Sequence, residues 1–263
     1  MTFHPLPAVE PRLRPESDYR RGLPASAAFA WLRAGWRDLA VQPQLSLAYG
    51  LGVFVVSVLT VASLFFYGMD SILFPAFAGF MVVGPILAIG LYEKSRRIAA
   101  GEPISLANMI FVRAASGRQV WFTGVLLLLL VLLWMRAAVV LYALLFGLLA
   151  FPGLYQVAVI LLTTPEGLTL LIVGSVVGAL FAAFSFAISV FAVPMLLEKP
   201  IDALTAMGTS MALVWNNLPV MLTWGAIVLA LFVLSLFTGL LGLIVVFPLL
   251  GHGTWHAYRA IRP

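Results

Sequence analysis

The sequence predicts an all-α, polytopic membrane protein, and three observations lead to this fold class. Hydrophobic residues make up 63% of the 263 residues and charged residues only 10%, whereas soluble domains carry roughly 25% charged residues. The apolar residues form stretches long enough to cross a bilayer, which takes about 20 residues in a helix. Of the 15 Lys and Arg residues, all but Arg136 lie in four segments that alternate with these apolar stretches.

The positions of the basic residues predict the orientation. They precede the first apolar stretch, follow the second and the fourth, and end the chain, while the loops in between carry only Asp70 and Glu166. Because Lys and Arg concentrate in cytoplasmic loops, we expect both termini in the cytoplasm. The Ala-, Leu- and Gly-rich composition and the short turns favour a multi-pass protein of the bacterial inner membrane. The basic clusters then indicate a lipid bilayer with anionic headgroups as partner, and no nucleic acid.

Two parts of the chain are expected. Residues 1–23 are rich in Pro and Arg without an apolar core, which predicts a disordered cytoplasmic tail and no cleaved signal peptide. Residues 24–259 form the integral membrane domain, which we interpret as three repeats of an interfacial amphipathic helix plus a transmembrane hairpin. The amphipathic helices are expected at 27–41, 103–116 and 202–215. Gln42 and Pro43 end the first of them, and Asp202 caps the third. In the first, helical spacing puts an apolar face of Phe29, Leu32, Trp36 and Leu39 opposite Arg33, Arg37 and Asp38. The six predicted spans cover residues 44–66, 72–92, 120–149, 167–197, 220–237 and 240–258, with Thr164 as the N-cap before the fourth.

The region between the third and fourth spans, residues 137–162, admits two interpretations. From Val120, a span of about 20 residues ends near the outer face, yet the chain stays apolar beyond this point. A further full crossing would place Lys199 outside and break the charge rule. We therefore expect a long, tilted third helix to about Leu149 and a short interfacial segment on the outer side. A re-entrant hairpin is the alternative.

Arg136 is the single cation on the predicted outer half. Charges at membrane depth are costly and are usually paired. The candidate partners are Glu166 at the start of the fourth span, a lipid phosphate that the long side chain reaches by snorkelling, and an acidic group of a protein partner or ligand. Arg136 and Glu166 are therefore the hypothesised partner- or ligand-binding residues.

A second hypothesis concerns a polar cluster at the cytoplasmic ends of the even-numbered spans: Glu93, Glu198, His252 and His256. An inward ring of such groups would form a small polar site, although salt bridges to neighbouring basic residues explain the two carboxylates equally well. The two histidines lie four residues apart on one helix face, which suits a metal with a third ligand from elsewhere. Polar packing at a helix end is the favoured interpretation, so we assign no metal site.

Several classes of chemistry lack their residues. The chain contains no cysteine, which excludes disulfides and thiolate metal sites. We find no Gly-rich phosphate loop, no paired carboxylates within a span and no Ser with a matching His and Asp. We therefore expect neither an enzyme nor a bound cofactor.

Four segments of the sequence carry a family resemblance: residues 84–97, 134–138, 194–197 and 251–259. Together they resemble, over about residues 25–260, a domain-of-unknown-function family of bacterial six-span integral membrane proteins. Some members are labelled as a cytochrome c oxidase subunit, but the resemblance implies no established activity and no catalytic residues. A haem-copper subunit needs imidazoles from several helices, and this chain has only His4, His252 and His256.

The function that follows is a non-enzymatic accessory, assembly or scaffold protein of the membrane. The family label suggests a respiratory complex as its partner. The alternative is a carrier or channel for a hydrophobic or weakly polar solute, because Pro85, Pro194 and Pro248 interrupt even-numbered spans as in transporters. The lack of a polar cluster at the midplane disfavours coupled transport.

Overall fold

The computed structural model describes residues 19–147 and 153–262. In these two ranges the chain folds into α-helices joined by short turns, with one short 3-10 segment and no strand. The helices are α1 (Ala27–Ala40), α2 (Pro43–Phe66), α3 (Leu73–Leu87), α4 (Ile89–Ala100), α5 (Leu106–Ile110), α6 (Gly117–Phe146), α7 (Leu154–Thr163), α8 (Pro165–Ser189), α9 (Ala192–Glu198), α10 (Ala203–Asn216), α11 (Leu218–Phe237) and α12 (Leu243–Ile261).

The predicted fold class is confirmed: the protein is an all-α, polytopic membrane protein. Five segments within the described ranges are long and apolar enough to cross a membrane. The predicted sixth span corresponds to α12, whose second half carries His252, His256 and Arg259 and packs largely against other helices. The six-span count and the threefold repeat therefore stay predictions. The five segments are Pro43–Phe66, Pro75–Ala100, Gly117–Phe146, Pro165–Glu198 and Leu218–Phe237.

The second span is divided into α3 and α4, which meet at Ala88. Pro85 lies inside α3, where a proline lacks the N–H of a helical hydrogen bond and bends the axis. A side chain of α2 supports the break, because the Tyr49 hydroxyl donates to the carbonyl of Leu87 at 2.7 Å. The kink is thus fixed by a neighbouring helix.

The fourth span is divided in the same way into α8 and α9. The ring of Pro194 crowds the carbonyl four residues earlier, at Val190, which is where α8 gives way to α9. Ser210 of α10 spans this break: its hydroxyl accepts from the N–H of Phe191 at 3.1 Å and donates to the carbonyl of Ala187 at 2.7 Å. The backbone groups that the break leaves without helical partners are therefore satisfied.

The third span, α6, runs without interruption from Gly117 to Phe146. At 1.5 Å per residue this helix is about 45 Å long, whereas α7 is only about 15 Å long and too short to cross a bilayer. The structure thus has the long third helix followed by a short helix. As the sequence predicts, Thr164 caps α8, its hydroxyl accepting from the N–H of Gly167 at 3.0 Å.

The second amphipathic helix is shorter than expected. The sequence predicts a helix over 103–116, but α5 ends at Ile110. Beyond it the backbone bonds to α9 instead: the N–H groups of Ala115 and Ser116 donate to the carbonyls of Leu197 and Leu196 at 3.1 and 3.0 Å. These tertiary hydrogen bonds replace the helical ones.

The predicted disordered tail, residues 1–23, lies mostly outside the described residues. Its last residues, from Tyr19, contact the folded chain. The N–H of Arg21 donates to Asn217 Oδ1 at 2.9 Å, and its guanidinium donates to the carbonyls of Ile261 and Arg262 at 3.1 and 3.0 Å. The Asn217 amide donates in turn to the carbonyl of Tyr19 at 2.7 Å.

Helix α12 packs closely where it crosses α1 and α2. Gly35 of α1 faces Gly253 of α12 so closely that a Cβ on Gly35 would lie 2.6 Å from the Gly253 nitrogen. Trp31 and Trp224 meet edge to face beside this crossing, with centroids 5.9 Å apart. We call this end of the molecule, where α4, α9 and α12 end and α6 begins, the basic end.

Candidate functional site

Six polar side chains at the basic end form one connected group, which we call the buried polar network. They come from four helices that are distant in sequence: α1, α2, α4 and α12. Lys94 and His252 are 0% exposed, whereas the His256 side chain is 32% exposed. The members of the buried polar network are Asp38, Ser46, Lys94, Ser95, His252 and His256.

The α2 side of the network joins His252 to Lys94. The Nε2 atom of His252 lies 2.9 Å from the hydroxyl oxygen of Ser46. Lys94 Nζ donates to the same Ser46 oxygen at 2.7 Å and to the carbonyl of Gln42 at 3.3 Å. The lysine ammonium is therefore held away from water by oxygen atoms of α2 and the turn before it.

The α1 side of the network joins His252 to Asp38. The Nδ1 atom of His252 lies 2.8 Å from the hydroxyl oxygen of Ser95. Ser95 donates to Asp38 Oδ2 at 2.6 Å, and His256 Nε2 lies 2.8 Å from that same carboxylate oxygen. Two side chains from two different helices therefore converge on one carboxylate.

The hydrogen atoms of the network have one consistent direction. The single hydroxyl hydrogen of Ser95 goes to Asp38, so the Ser95 oxygen accepts from Nδ1–H of His252. Nε2 of the neutral ring then accepts from the Ser46 hydroxyl, whose oxygen accepts from Lys94. A directed chain of hydrogen bonds thus runs from a buried ammonium to a buried carboxylate, which is the condition under which such a network is stabilising.

The carboxylate end of the network stays ionised at neutral pH. Burial alone would raise the pKa of Asp38, but hydrogen bonds with His256 and Ser95 and the nearby imidazoles hold that pKa below its usual range. The resulting stabilisation is present above about pH 4, the ordinary aspartate pKa, and is lost as the pH falls through the lowered value. Asp38 therefore remains a carboxylate across the physiological pH range.

The order Ser46, His252, Asp38 resembles a nucleophile, a base and an acid that orients the base. The sequence alone does not indicate this set, because helical spacing puts Asp38 on the polar side of α1. In the structure Ser46 is fully buried, its hydroxyl is engaged by Lys94, and an intervening Ser95 separates the histidine from the carboxylate. None of the three cavities described below is lined by Ser46 or His252. The arrangement joins four helices through hydrogen bonds.

The structure places the four residues of the predicted cytoplasmic-end cluster in different surroundings. The Glu93 carboxylate accepts from Arg96 at 2.8 Å and from Arg97 at 2.6 Å. Glu198 accepts from the Tyr258 hydroxyl at 2.8 Å and pairs with Arg262. The two histidines belong to the buried polar network. Within the described residues, no hydrogen bond joins either glutamate to a histidine, and no three His, Asp or Glu side chains are grouped as metal ligands.

The two residues of the predicted partner-binding hypothesis are both exposed. Arg136 lies on an exposed face of α6, and Glu166 lies in the first turn of α8. Across residues 19–147 and 153–262, neither takes part in an ion pair. Arg136 is therefore open to an external anion, and the hypothesis of an external partner stays a prediction.

An apolar cavity of about 180 Å³ lies between α3, α6, α8, α11 and α12. We call it the inter-helix cavity. Two of the side chains that line it, Trp134 and Trp224, have indole N–H groups with no hydrogen-bond acceptor among the described residues. A second apolar cavity, of about 630 Å³, lies between α2, α3 and α5. Phe80 and Phe232, which stack at 5.5 Å, line both cavities and separate them.

One part of the chain is similar to a known protein family. It contains the kinked second span, the long third span and the broken fourth span. Residues 73–198 match the family described as predicted integral membrane protein (DUF2189). We call these residues, which are similar to that family, the DUF2189 region. The resemblance to a domain-of-unknown-function membrane family is confirmed over these residues. No curated protein and no solved structure matches the chain.

The DUF2189 region contains only part of the buried polar network. Lys94 and Ser95 lie inside it, whereas Asp38, Ser46 and His252 come from helices outside it. The network therefore attaches α1, α2 and α12 to the DUF2189 region.

Proposed function

We propose that this integral membrane protein is a non-enzymatic accessory, assembly or scaffold protein that binds another integral membrane protein. The proposal rests on the length of α6. This helix is about 45 Å long, whereas a hydrocarbon core is about 30 Å thick. A typical tilt of about 20° shortens its projection only to about 42 Å. The last turns of α6 then lie at headgroup level, at the end opposite the basic end.

The side chains at that end are apolar and unpacked. Leu144 of α6 is 76% exposed, and Tyr155 and Leu162 of α7 are 83% and 69% exposed. Apolar side chains at headgroup level gain little from lipid tails, and exposed apolar surface of this kind marks interaction sites. A membrane-embedded partner that extends past the hydrocarbon core would cover them. We infer a respiratory complex as one such partner from the resemblance alone.

The absence of enzymatic activity is part of the same proposal. The Ser46–His252 pair, which has the atoms for acid–base chemistry, is enclosed and bonded on both sides. Its contacts connect four helices, which supports a structural role.

The proposed location is a bacterial inner membrane with the basic end in the cytoplasm and anionic headgroups around it. Alkaline phosphatase fused after Asp70 or Glu166 should be active, because both positions would lie in the periplasm. Fusions after Arg97, Lys199 and Arg262 should be inactive. Phosphatase activity after Lys199 would show that the region between α6 and α8 crosses the membrane a further time.

The partner can be tested by cross-linking, because the chain contains no cysteine. Single cysteines at Leu144 and Leu162, with a photoactivated cross-linker in intact membranes, should give one discrete protein adduct. A cysteine at Leu59, which is 61% exposed on α2, is the control and should give none. Mild-detergent purification should recover the same protein in stoichiometric amount. Lipid adducts alone at all three positions would refute the proposal.

A second candidate function is a carrier or channel for a hydrophobic or weakly polar solute. The inter-helix cavity favours it, because a solute with a carbonyl or hydroxyl oxygen would supply an acceptor for the indoles of Trp134 and Trp224. The same purification separates the two functions. A protein that purifies alone, carries such a molecule and transports it in liposomes would support the carrier.

A further inference from the structure

A polar pocket of about 430 Å³ opens at the basic end. Its walls come from the ends of α4, α9 and α12 and from the segment before α6. Four charged side chains and four small or apolar ones line it. They are Arg96, Arg113, Glu198 and Arg259, with Ala99, Ala100, Ala115 and Leu197.

The charges of this pocket are not balanced. Arg96 is engaged by Glu93 and Glu102, and Glu198 by Arg262. Arg113 and Arg259 have no carboxylate within ion-pair distance in the described part of the chain. Glu198 lines the same pocket and attracts Arg259 at longer range, but its carboxylate is already paired with Arg262. Two guanidinium groups from separate parts of the sequence therefore line one pocket outside any ion pair, and a bound anion would supply the missing negative charge.

The walls of the pocket are fixed by hydrogen bonds. Ala115 and Ser116 donate their N–H groups to Leu197 and Leu196, which attaches the segment carrying Arg113 to α9. The Tyr258 hydroxyl donates to Glu198, which attaches α12 to α9. The backbone segments that carry Arg113 and Arg259 are therefore held in place before a ligand binds, which lowers the entropy cost of binding.

The pocket lies at the level of lipid headgroups. The spans Pro75–Ala100 and Pro165–Glu198 end at its walls, and the span Gly117–Phe146 begins there. This placement follows from the spans themselves and holds for either orientation of the protein. Basic pockets between transmembrane helices recognise anionic headgroups.

We propose that this pocket binds a phosphate group, supplied by the headgroup of an anionic phospholipid. Arginine forks bind phosphate oxygens through paired, charge-assisted hydrogen bonds. Inorganic phosphate offers the same chemistry, so the experiment must separate the two sources. The site is independent of the partner surface at the opposite end of the molecule.

The test measures the melting temperature of the detergent-purified full chain against added phosphatidylglycerol, phosphatidylcholine or inorganic phosphate. Phosphatidylglycerol should raise the melting temperature of the wild type more than phosphatidylcholine does. Arg113→Gln/Arg259→Gln should weaken the apparent affinity for phosphatidylglycerol by at least about tenfold, the loss of two charge-assisted hydrogen bonds. The control Arg33→Gln/Arg37→Gln removes two exposed charges of α1 outside the pocket and should leave this affinity unchanged.

The remaining outcomes are decisive. A stabilisation that inorganic phosphate alone reproduces, and that Arg113→Gln/Arg259→Gln abolishes, identifies free phosphate as the ligand of this site. Equal losses in both double variants would indicate bulk charge and overturn the proposal, as would wild-type affinity in Arg113→Gln/Arg259→Gln. Should that variant accumulate poorly, the single changes Arg113→Gln and Arg259→Gln should each give an intermediate loss.

Discussion

Replacing Asp38 with Asn should lower the apparent melting temperature of the purified protein by roughly 6–20 °C. Asn keeps the size of the side chain and removes its charge. Lys94, which is 0% exposed, then keeps its charge in the buried polar network without the carboxylate. Leaving one buried charge without its partner costs about 3–5 kcal/mol. The change also weakens the hydrogen bonds that Ser95 and His256 make to this carboxylate.

A double-mutant cycle separates this effect from general damage. Asp38→Asn/Lys94→Met removes both charges and should recover part of the loss, because the two groups act through one network. Glu102→Gln is the control carboxylate: its side chain is 39% exposed and its ion pairs are 3.3–3.4 Å long. Such a pair contributes about 0–1 kcal/mol. Equal losses in Asp38→Asn and Glu102→Gln would contradict the structural role of the network.

The features that the sequence predicted correctly depend on residues close together in the chain. Thr164 and Asp202 cap α8 and α10 through N–H groups three residues later. Pro43 starts α2, and the break at the preceding residue separates it from α1. The length of an apolar segment determines whether it lies in the bilayer or in water, because the free energy of removing it from water is proportional to its apolar area. Local signals of this kind fix element types and the fold class.

The buried polar network was missed because it is built from non-local contacts. On α1, Phe29 and Trp36 suggested the apolar face, and Asp38 was assigned to the opposite, polar face. The structure instead buries Asp38 together with Gly35, on the side that packs against α12. Gly35 was the available signal, since a glycine in a helix allows a close crossing. Nothing in the spacing of residues identifies His256, which is 218 positions away, as the partner of Asp38.

The family resemblance predicted the membrane class and no chemistry. Four of the six residues of the buried polar network lie outside the DUF2189 region. His252 was noticed as half of a histidine pair with helical spacing. The structure gives the two rings different tasks: His252 bonds to two serines, and His256 bonds to Asp38. A shared helix face is therefore insufficient to show that two residues share a ligand.

Gly50 is where α2 approaches α12 most closely, and Gly50→Ala should be strongly destabilising. A Cβ at this position would lie 2.2 Å from the carbonyl oxygen of Ile244 and 2.9 Å from Cγ of Pro248. The carbonyl belongs to the backbone, so a helix has to move. Overpacking of this kind costs about 1–3 kcal/mol and sometimes more. Ser46 lies one turn away on α2, so the movement also stretches its bonds to Lys94 and His252.

Gly52→Ala is the matched control, because it makes the same change two residues further along the same helix. No atom lies within 4 Å of a Cβ at Gly52, and Ala is favoured over Gly inside a helix by about 0.5–1 kcal/mol. Thermal melting in one detergent should therefore show Gly50→Ala below the wild type by about 2–12 °C and Gly52→Ala at or above it. If the two variants melt at the same temperature, α2 and α12 do not cross at Gly50, and the contacts that place Ser46 beside His252 lose their support.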